Sequence, residues 1–195
     1  RTERLAERSR NPHRMGRHVE HHAASLRFAA PVLPKSAIVS RRWERRAPVW
    51  DQGNLGSCTG HAAAGWAATD NTTRPGLTHT LGIPIDHDMA VDLYRAATRL
   101  DQFAGQYEPE DTGSSGIAAA KALRQARLCV SYAHAFTVQA AQTALQAGPV
   151  MAGTAVRGFR AQEEHHVWPR DPLRNLLGDL VVLVVEPEVR LQVPI

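Results

Sequence analysis

The sequence predicts an α+β fold, with helices first and strands after them, and three observations carry that reading. The run from Cys58 to Ala68, CTGHAAAGWAA, is dense in strong helix formers and opens just beyond Pro48, Gly53 and Gly56. Met89, Val91, Leu93, Tyr94, Ala97 and Leu100 recur at the spacing of one helix face, with Asp86 or Asp88 placed to cap it. Past Gly148-Pro149 the pattern changes, and Val150 to Val156 and the run LVVLVV after Asp179 read as apolar strands. The limits that follow are a basic, largely disordered arm over 1–46, a helical lobe over 47–149 and a partial β lobe over 150–195.

Composition places the chain among ordinary globular proteins. It has 195 residues, 43% hydrophobic and 22% charged, enough for one domain or two small lobes. Two cysteines, Cys58 and Cys129, do not make a disulfide framework. No apolar run approaches the roughly 20 residues that a membrane-spanning helix needs. Residues 1–22 contain no apolar segment of the kind a secretory signal requires, so a reducing, cytoplasmic setting is expected.

Charge is unevenly spread. Residues 1–46 hold 12 of the 23 lysines and arginines but only 4 of the 19 acids. Without interleaved aromatics for base stacking, such an arm reads as a solvated segment, and nucleic acid is not an expected partner. The cluster His18, Glu20, His21 and His22 lacks a cysteine or a second cluster at ligand spacing, so it reads as surface histidines and no metal is expected. Met15 opens the segment MGRHVEHH, and residues 1–14 read as an upstream extension.

Beyond the helix that follows Cys58, a turn-rich loop runs to His87 through Arg74-Pro75-Gly76 and Gly82-Ile83-Pro84. The amphipathic helix over 89–100 should pack beside the first. A polar stretch then leads to DTGSSGIAAAKALRQARL, a third helix ending near Leu128, for which Thr112, Ser114 or Ser115 is the candidate N-cap. Cys129 reads as a packed thiol before a short extended segment, and Thr137 to Ala147 as a fourth, alanine-rich helix.

The stretch around which this order is organised is Ala47 to Asp70, APVWDQGNLGSCTGHAAAGWAATD. It sets Cys58 in the first turn of a helix, where unpaired backbone N–H groups and the helix dipole favour an anion and hence a thiolate, the nucleophilic form. Gln52 stands six residues earlier, within reach of the sulfur across a glycine-rich loop. Its amide and the Cys58 N–H form a candidate oxyanion hole, worth roughly 3–4 kcal/mol per donor. A free cysteine can also serve as a small buried hydrophobe. The glutamine, the glycines and the helix together favour the nucleophile.

DQGNLGSC followed by a small-residue helix resembles the active-site segment of papain-like cysteine peptidases. Two positions depart from that pattern: Leu55 stands where many secreted members carry a disulfide cysteine, and Thr59 replaces the aromatic residue after the nucleophile. The resemblance implies a two-lobe papain-like fold with its helical lobe intact, a peptide or protein substrate, no cofactor, and hydrolysis of peptide or isopeptide bonds through a thioester on Cys58. Gly113, Ser114 and Ser115 resemble the segment lining the main side-chain pocket in that family, where small residues let a substrate backbone approach. The same residues serve as a helix N-cap, and the two roles are compatible.

Past Ala155 the resemblance stops. A peptidase of this kind needs a histidine to pair with the thiolate and to protonate the leaving amine. The family places it roughly 130 to 150 residues after the cysteine. Here no histidine lies beyond His166, which follows Cys58 by 108 residues. Three readings follow: a compressed second lobe using His166, a peptide-binding module that keeps only the nucleophile cradle, or a C-terminal segment that is not the family's own. The third is favoured, because the loss of resemblance is abrupt. His165 and His166 beside Glu163 and Glu164 read more readily as a solvated pair than as catalytic groups.

Overall fold

The computed structural model describes residues 17–18, 20, 23–72, 76, 84–153 and 181–186, with the backbone alone at 26 and over 181–186. Within them lie four α-helices, α1 (Cys58–Ala67), α2 (His87–Leu100), α3 (Gly116–Gln125) and α4 (Val138–Ala144), and two 3-10 helices, Ala23–Phe28 and Lys35–Ala37. Five short strands accompany them: β1 (Arg17–His18), β2 (Ser114–Ser115), β3 (Ser131–Ala135), β4 (Met151–Gly153) and β5 (Val181–Glu186). The chain is therefore mixed α+β.

Helix α1 is the centre of the helical layer. A helix apolar all round must be buried on all sides, and CTGHAAAGWA offers no continuous polar stripe. Thr59, Gly60 and the run from Ala63 to Ala67 are accordingly buried. α2 packs across α1 with Ala90, Leu93, Tyr94 and Ala97, and α3 closes the core with Ala118, Ala119, Ala122 and Leu123. Small residues set the spacing. A Cβ on Gly60 would lie 2.2 Å from the Ala90 carbonyl oxygen, so only glycine permits this crossing. Trp66 fixes the far end of α1 by donating from Nε1 to the Pro149 carbonyl at 3.0 Å.

The capping chemistry follows residue type. Asp86, of the two candidate aspartates, accepts from the Met89 N–H at 2.9 Å. Ser115 caps α3 by accepting from Ala118 at 3.1 Å, and Thr137 caps α4 by accepting from Ala140 at 3.0 Å. α3 ends at Gln125 rather than near Leu128. Arg127 turns into the left-handed region at φ 57°, and the Leu128 N–H returns to the Leu123 carbonyl at 2.9 Å, which closes the helix early.

Two small sheets complete the described chain. β5 runs antiparallel between β3 and β4, pairing Ala133 with Val184 and Ala152 with Val182. The apolar run after Asp179 thus forms the central strand, while Asp179 itself lies outside the described residues. β1 pairs parallel with β2, setting Arg17 opposite Ser114 and His18 opposite Ser115.

Residues 23–46, expected to be disordered on composition, follow a defined path along α4 and the end of α1. The Ala30 N–H donates to the His134 carbonyl at 2.8 Å, and Leu33 N–H to Thr143 Oγ1 at 2.9 Å. Trp43 Nε1 donates to the Leu145 carbonyl at 2.9 Å. Arg46 pairs with Asp70 at 2.7 Å. Apolar content is a poor guide to this segment because backbone and polar side-chain hydrogen bonds hold it, and neither leaves a hydrophobic pattern. No described helix is long and apolar enough to cross a membrane.

Candidate functional site

The loop before α1 is closed by its own side chains. Asp51 accepts from the Gly53 N–H at 2.9 Å, and Gly53 takes φ 63°, which glycine adopts without strain. The Leu55 N–H then returns to the Gln52 carbonyl at 3.3 Å, and Gln52 Nε2 donates to the Leu55 carbonyl at 2.8 Å. Gln52 thus locks the turn that leads to the cysteine, and its amide carries two N–H donors with which to do so.

Cys58 is the first residue of α1 and is partly exposed, as its position after the loop predicts. Ser57, the cap residue, is buried but does not cap. Its Oγ lies 3.1 Å from His61 Nδ1, so the serine's polar contact is with the imidazole and not with a first-turn N–H. Ser57 thus does not give α1 the side-chain cap that Asp86, Ser115 and Thr137 give the other three α-helices. An anion at Cys58 would meet those N–H dipoles.

Cys129 is only 8% exposed and sits in the core beside Leu128 and Met151. Iodoacetamide at neutral pH is therefore expected to modify Cys58 well before Cys129, as read by peptide mass mapping. Equal modification of both thiols in folded protein would remove Cys58 from the nucleophile's role.

Gly113, Ser114 and Ser115 follow Asp111, whose side chain accepts from the Gly56 N–H of this loop. Gly113 takes φ 69° and donates its N–H to Tyr94 Oη at 2.9 Å. Ser114 and Ser115 are almost fully buried. Ser114 Oγ donates to Asp101 at 2.7 Å, and Ser115 Oγ donates to the buried Glu20 carboxylate. The backbone edge of Ser114–Ser115 is paired with β1.

Tyr94 and Asp111 join the two parts. Asp111 accepts from the Gly56 N–H at 2.8 Å and from the Tyr94 hydroxyl at 2.5 Å, while Tyr94 in turn accepts from Gly113. Burial, then the Asp111 hydrogen bond and charge, push the Tyr94 hydroxyl far above its ordinary range, with a smaller push from Cys58. Tyr94 is a neutral donor at every working pH.

His61 faces Ser57 through Nδ1 and His87 through Nε2, the latter at 3.4 Å. Burial, aided by the charge of His87, holds His61 below the usual histidine range, against the opposing pull of the Ser57 carbonyl and Asp51. The unfolded chain therefore takes up this proton first as pH falls. The group's contribution to stability is complete above about pH 6.5 and is lost as pH drops through the folded-state value. His61→Gln should narrow the gap between urea midpoints measured at about pH 7.5 and 5.5. An unchanged gap would show that other groups carry the acid loss.

Of the residues expected from sequence, Cys58 and Gln52 share the loop-to-helix junction, and Gly113 is linked to it through Tyr94 and Asp111. His165 and His166 lie outside the described residues. Among the described residues no three His, Cys, Asp or Glu side chains are grouped to hold a metal ion. Sequence reasoning missed Asp111 and His61 and took Tyr94 only as a core residue. A tyrosine on an apolar helix face carries a hydroxyl that needs a partner when buried, which is a usable signal. Asp111 gave none, because its partners are 17 and 55 residues away in sequence.

No family model, no curated protein and no solved structure matches this chain.

Proposed function

We propose that this chain carries a papain-like thiol-hydrolase cradle in which Cys58 accepts an acyl group, from activated esters in the chain as it stands and from peptides or isopeptides only where a histidine such as His166 protonates the leaving amine. The observation that carries the reading is the start of α1, which Ser57 does not cap with its side chain and which opens on a partly exposed cysteine behind a glutamine-closed loop. In the proposed reaction the thiolate attacks the substrate carbonyl carbon, and a C–S bond forms. The oxygen gains negative charge beside the Cys58 N–H and the Gln52 amide. The C–N bond then breaks, the amine leaves with a proton, and water hydrolyses the thioester.

The proton for the leaving amine is the demanding requirement. His166 is the sequence's candidate donor, on the compressed-lobe reading. On the favoured reading the C-terminal segment supplies no such group, and the chemistry is limited to substrates whose leaving group departs without protonation. The test is mass spectrometry of the full chain after incubation with an activated peptidyl ester and with the matching amide. A thioester adduct mapped to Cys58 from the ester, with the amide intact, is the expected result. Absence of any adduct from the ester would overturn the acyl-transfer reading.

A second reading, peptide capture without turnover, draws on the pairing of β1 with β2: the Ser114–Ser115 backbone binds an extended strand, and a peptide would bind there in place of Arg17–His18. Saturable binding of unmodified peptide, undiminished in Cys58→Ala and without adduct in the native chain, would favour it.

A further inference from the structure

We propose that Asp111 is a positioning residue for Cys58. Its carboxylate clamps the loop before α1 to α2 and to the Gly113 turn, and so holds the first turn of α1 in the geometry that favours a thiolate. The inference deepens the acyl-transfer reading and rests on it for the role of Cys58. Three hydrogen bonds carry it: Gly56 N–H to Asp111, Tyr94 O–H to Asp111, and Gly113 N–H to Tyr94. Gly56 stands two residues before the cysteine, and the other loop bonds described above, from Asp51 and Gln52, are local to 51–55. Local turns shape the loop, whereas the Asp111 bond anchors it to the body of the protein. Both carboxylate oxygens are engaged, one with the loop and one with Tyr94, so a single side chain spans the two parts. Tyr94 is fully buried at the α1–α2 crossing and makes a rigid post for the clamp.

A clamp and a charge would act on Cys58 in opposite directions. The Asp111 charge disfavours a nearby thiolate, whereas an anchored first turn favours it. Asp111→Asn and Asp111→Ala both remove the charge, but only the asparagine keeps an acceptor for Gly56 and offers a donor to the Tyr94 oxygen. The experiment is the pH profile of Cys58 alkylation by iodoacetamide on the full chain, mapped by mass spectrometry well below each variant's melting temperature. His61 is common to all variants, so its titration does not separate them. The Asp111→Ala midpoint is expected about half to one pH unit above that of Asp111→Asn, the size of a helix-terminus effect on a charged group. Coincident profiles for the two variants, or an alanine midpoint below the asparagine one, would overturn the clamp.

Should Asp111→Ala not fold, Tyr94→Phe decides the matter. It removes a neutral hydroxyl and the link to Gly113 while keeping the carboxylate, so its midpoint should rise above wild type by a smaller amount. A midpoint equal to wild type would overturn the proposal. The ester assay separates this test from that of the parent reading. An alkylation shift in a chain that forms no acyl adduct retains the clamp and removes the hydrolase, and a normal adduct with coincident profiles does the reverse.

Discussion

Gly60→Ala should lower the melting temperature by roughly 4–8 °C. An alanine Cβ would lie 2.2 Å from the Ala90 carbonyl oxygen and 2.7 Å from the Tyr94 Cβ and N. These are mostly backbone atoms of α2, and they can move aside only if the helices separate. Overpacking of this kind costs about 1–3 kcal/mol and occasionally more. Alanine's better helix propensity returns about 1 kcal/mol. Backbone contact at 2.2 Å places the cost at the upper end, so the loss wins by about 2 kcal/mol. For a chain of this size each kcal/mol is worth about 2–4 °C. Gly53→Ala is the contrasting case: its Cβ meets nothing within 4 Å, and only the left-handed φ of 63° opposes it. Its cost is about 1 kcal/mol. If Gly60→Ala melted within 2 °C of the native chain, the α1–α2 crossing would have to be looser than described.

Cys58→Ala should abolish acylation by an activated peptidyl ester, a fall of roughly 1,000-fold or more, because a hydrophobic methyl group replaces the attacking atom itself. The same substitution is expected to leave the melting temperature nearly unchanged, since the side chain is partly exposed at a helix start. The native chain should leave peptide amides intact. A positioned histidine contributes about 100- to 10,000-fold, and without one no acid protonates the departing amine. Amide cleavage with a bell-shaped pH profile, lost in His166→Ala but kept in His165→Ala, would overturn that expectation. The compressed second lobe with His166 as base would then be the correct account. Ester acylation that persists in Cys58→Ala would instead move the nucleophile elsewhere.

The sequence by itself determined the helices and most of their starts. Alanine runs, the 3.6-residue recurrence of Met89 to Leu100 and the short polar caps act within a few residues, so their physics is written in neighbouring letters. The same local logic put Cys58 at the head of α1 and Gln52 on the loop before it. It also put a strand at LVVLVV, though not its central place between β3 and β4. Only the tertiary structure decided what lies around these elements. Residues 23–46 are held by partners such as Leu145 and His134, about a hundred residues away, and hydrogen bonds of that reach leave no periodicity to read. Ser115 was legible as a cap, but the Glu20 carboxylate that takes its hydroxyl was not. Asp111 looked like one more acid in a polar loop, and it becomes the link between Gly56 and Tyr94 only when α2 crosses α1 at Gly60. Local propensity fixes the elements, while packing across the chain decides which polar groups meet, because burial forces each of them to find a partner.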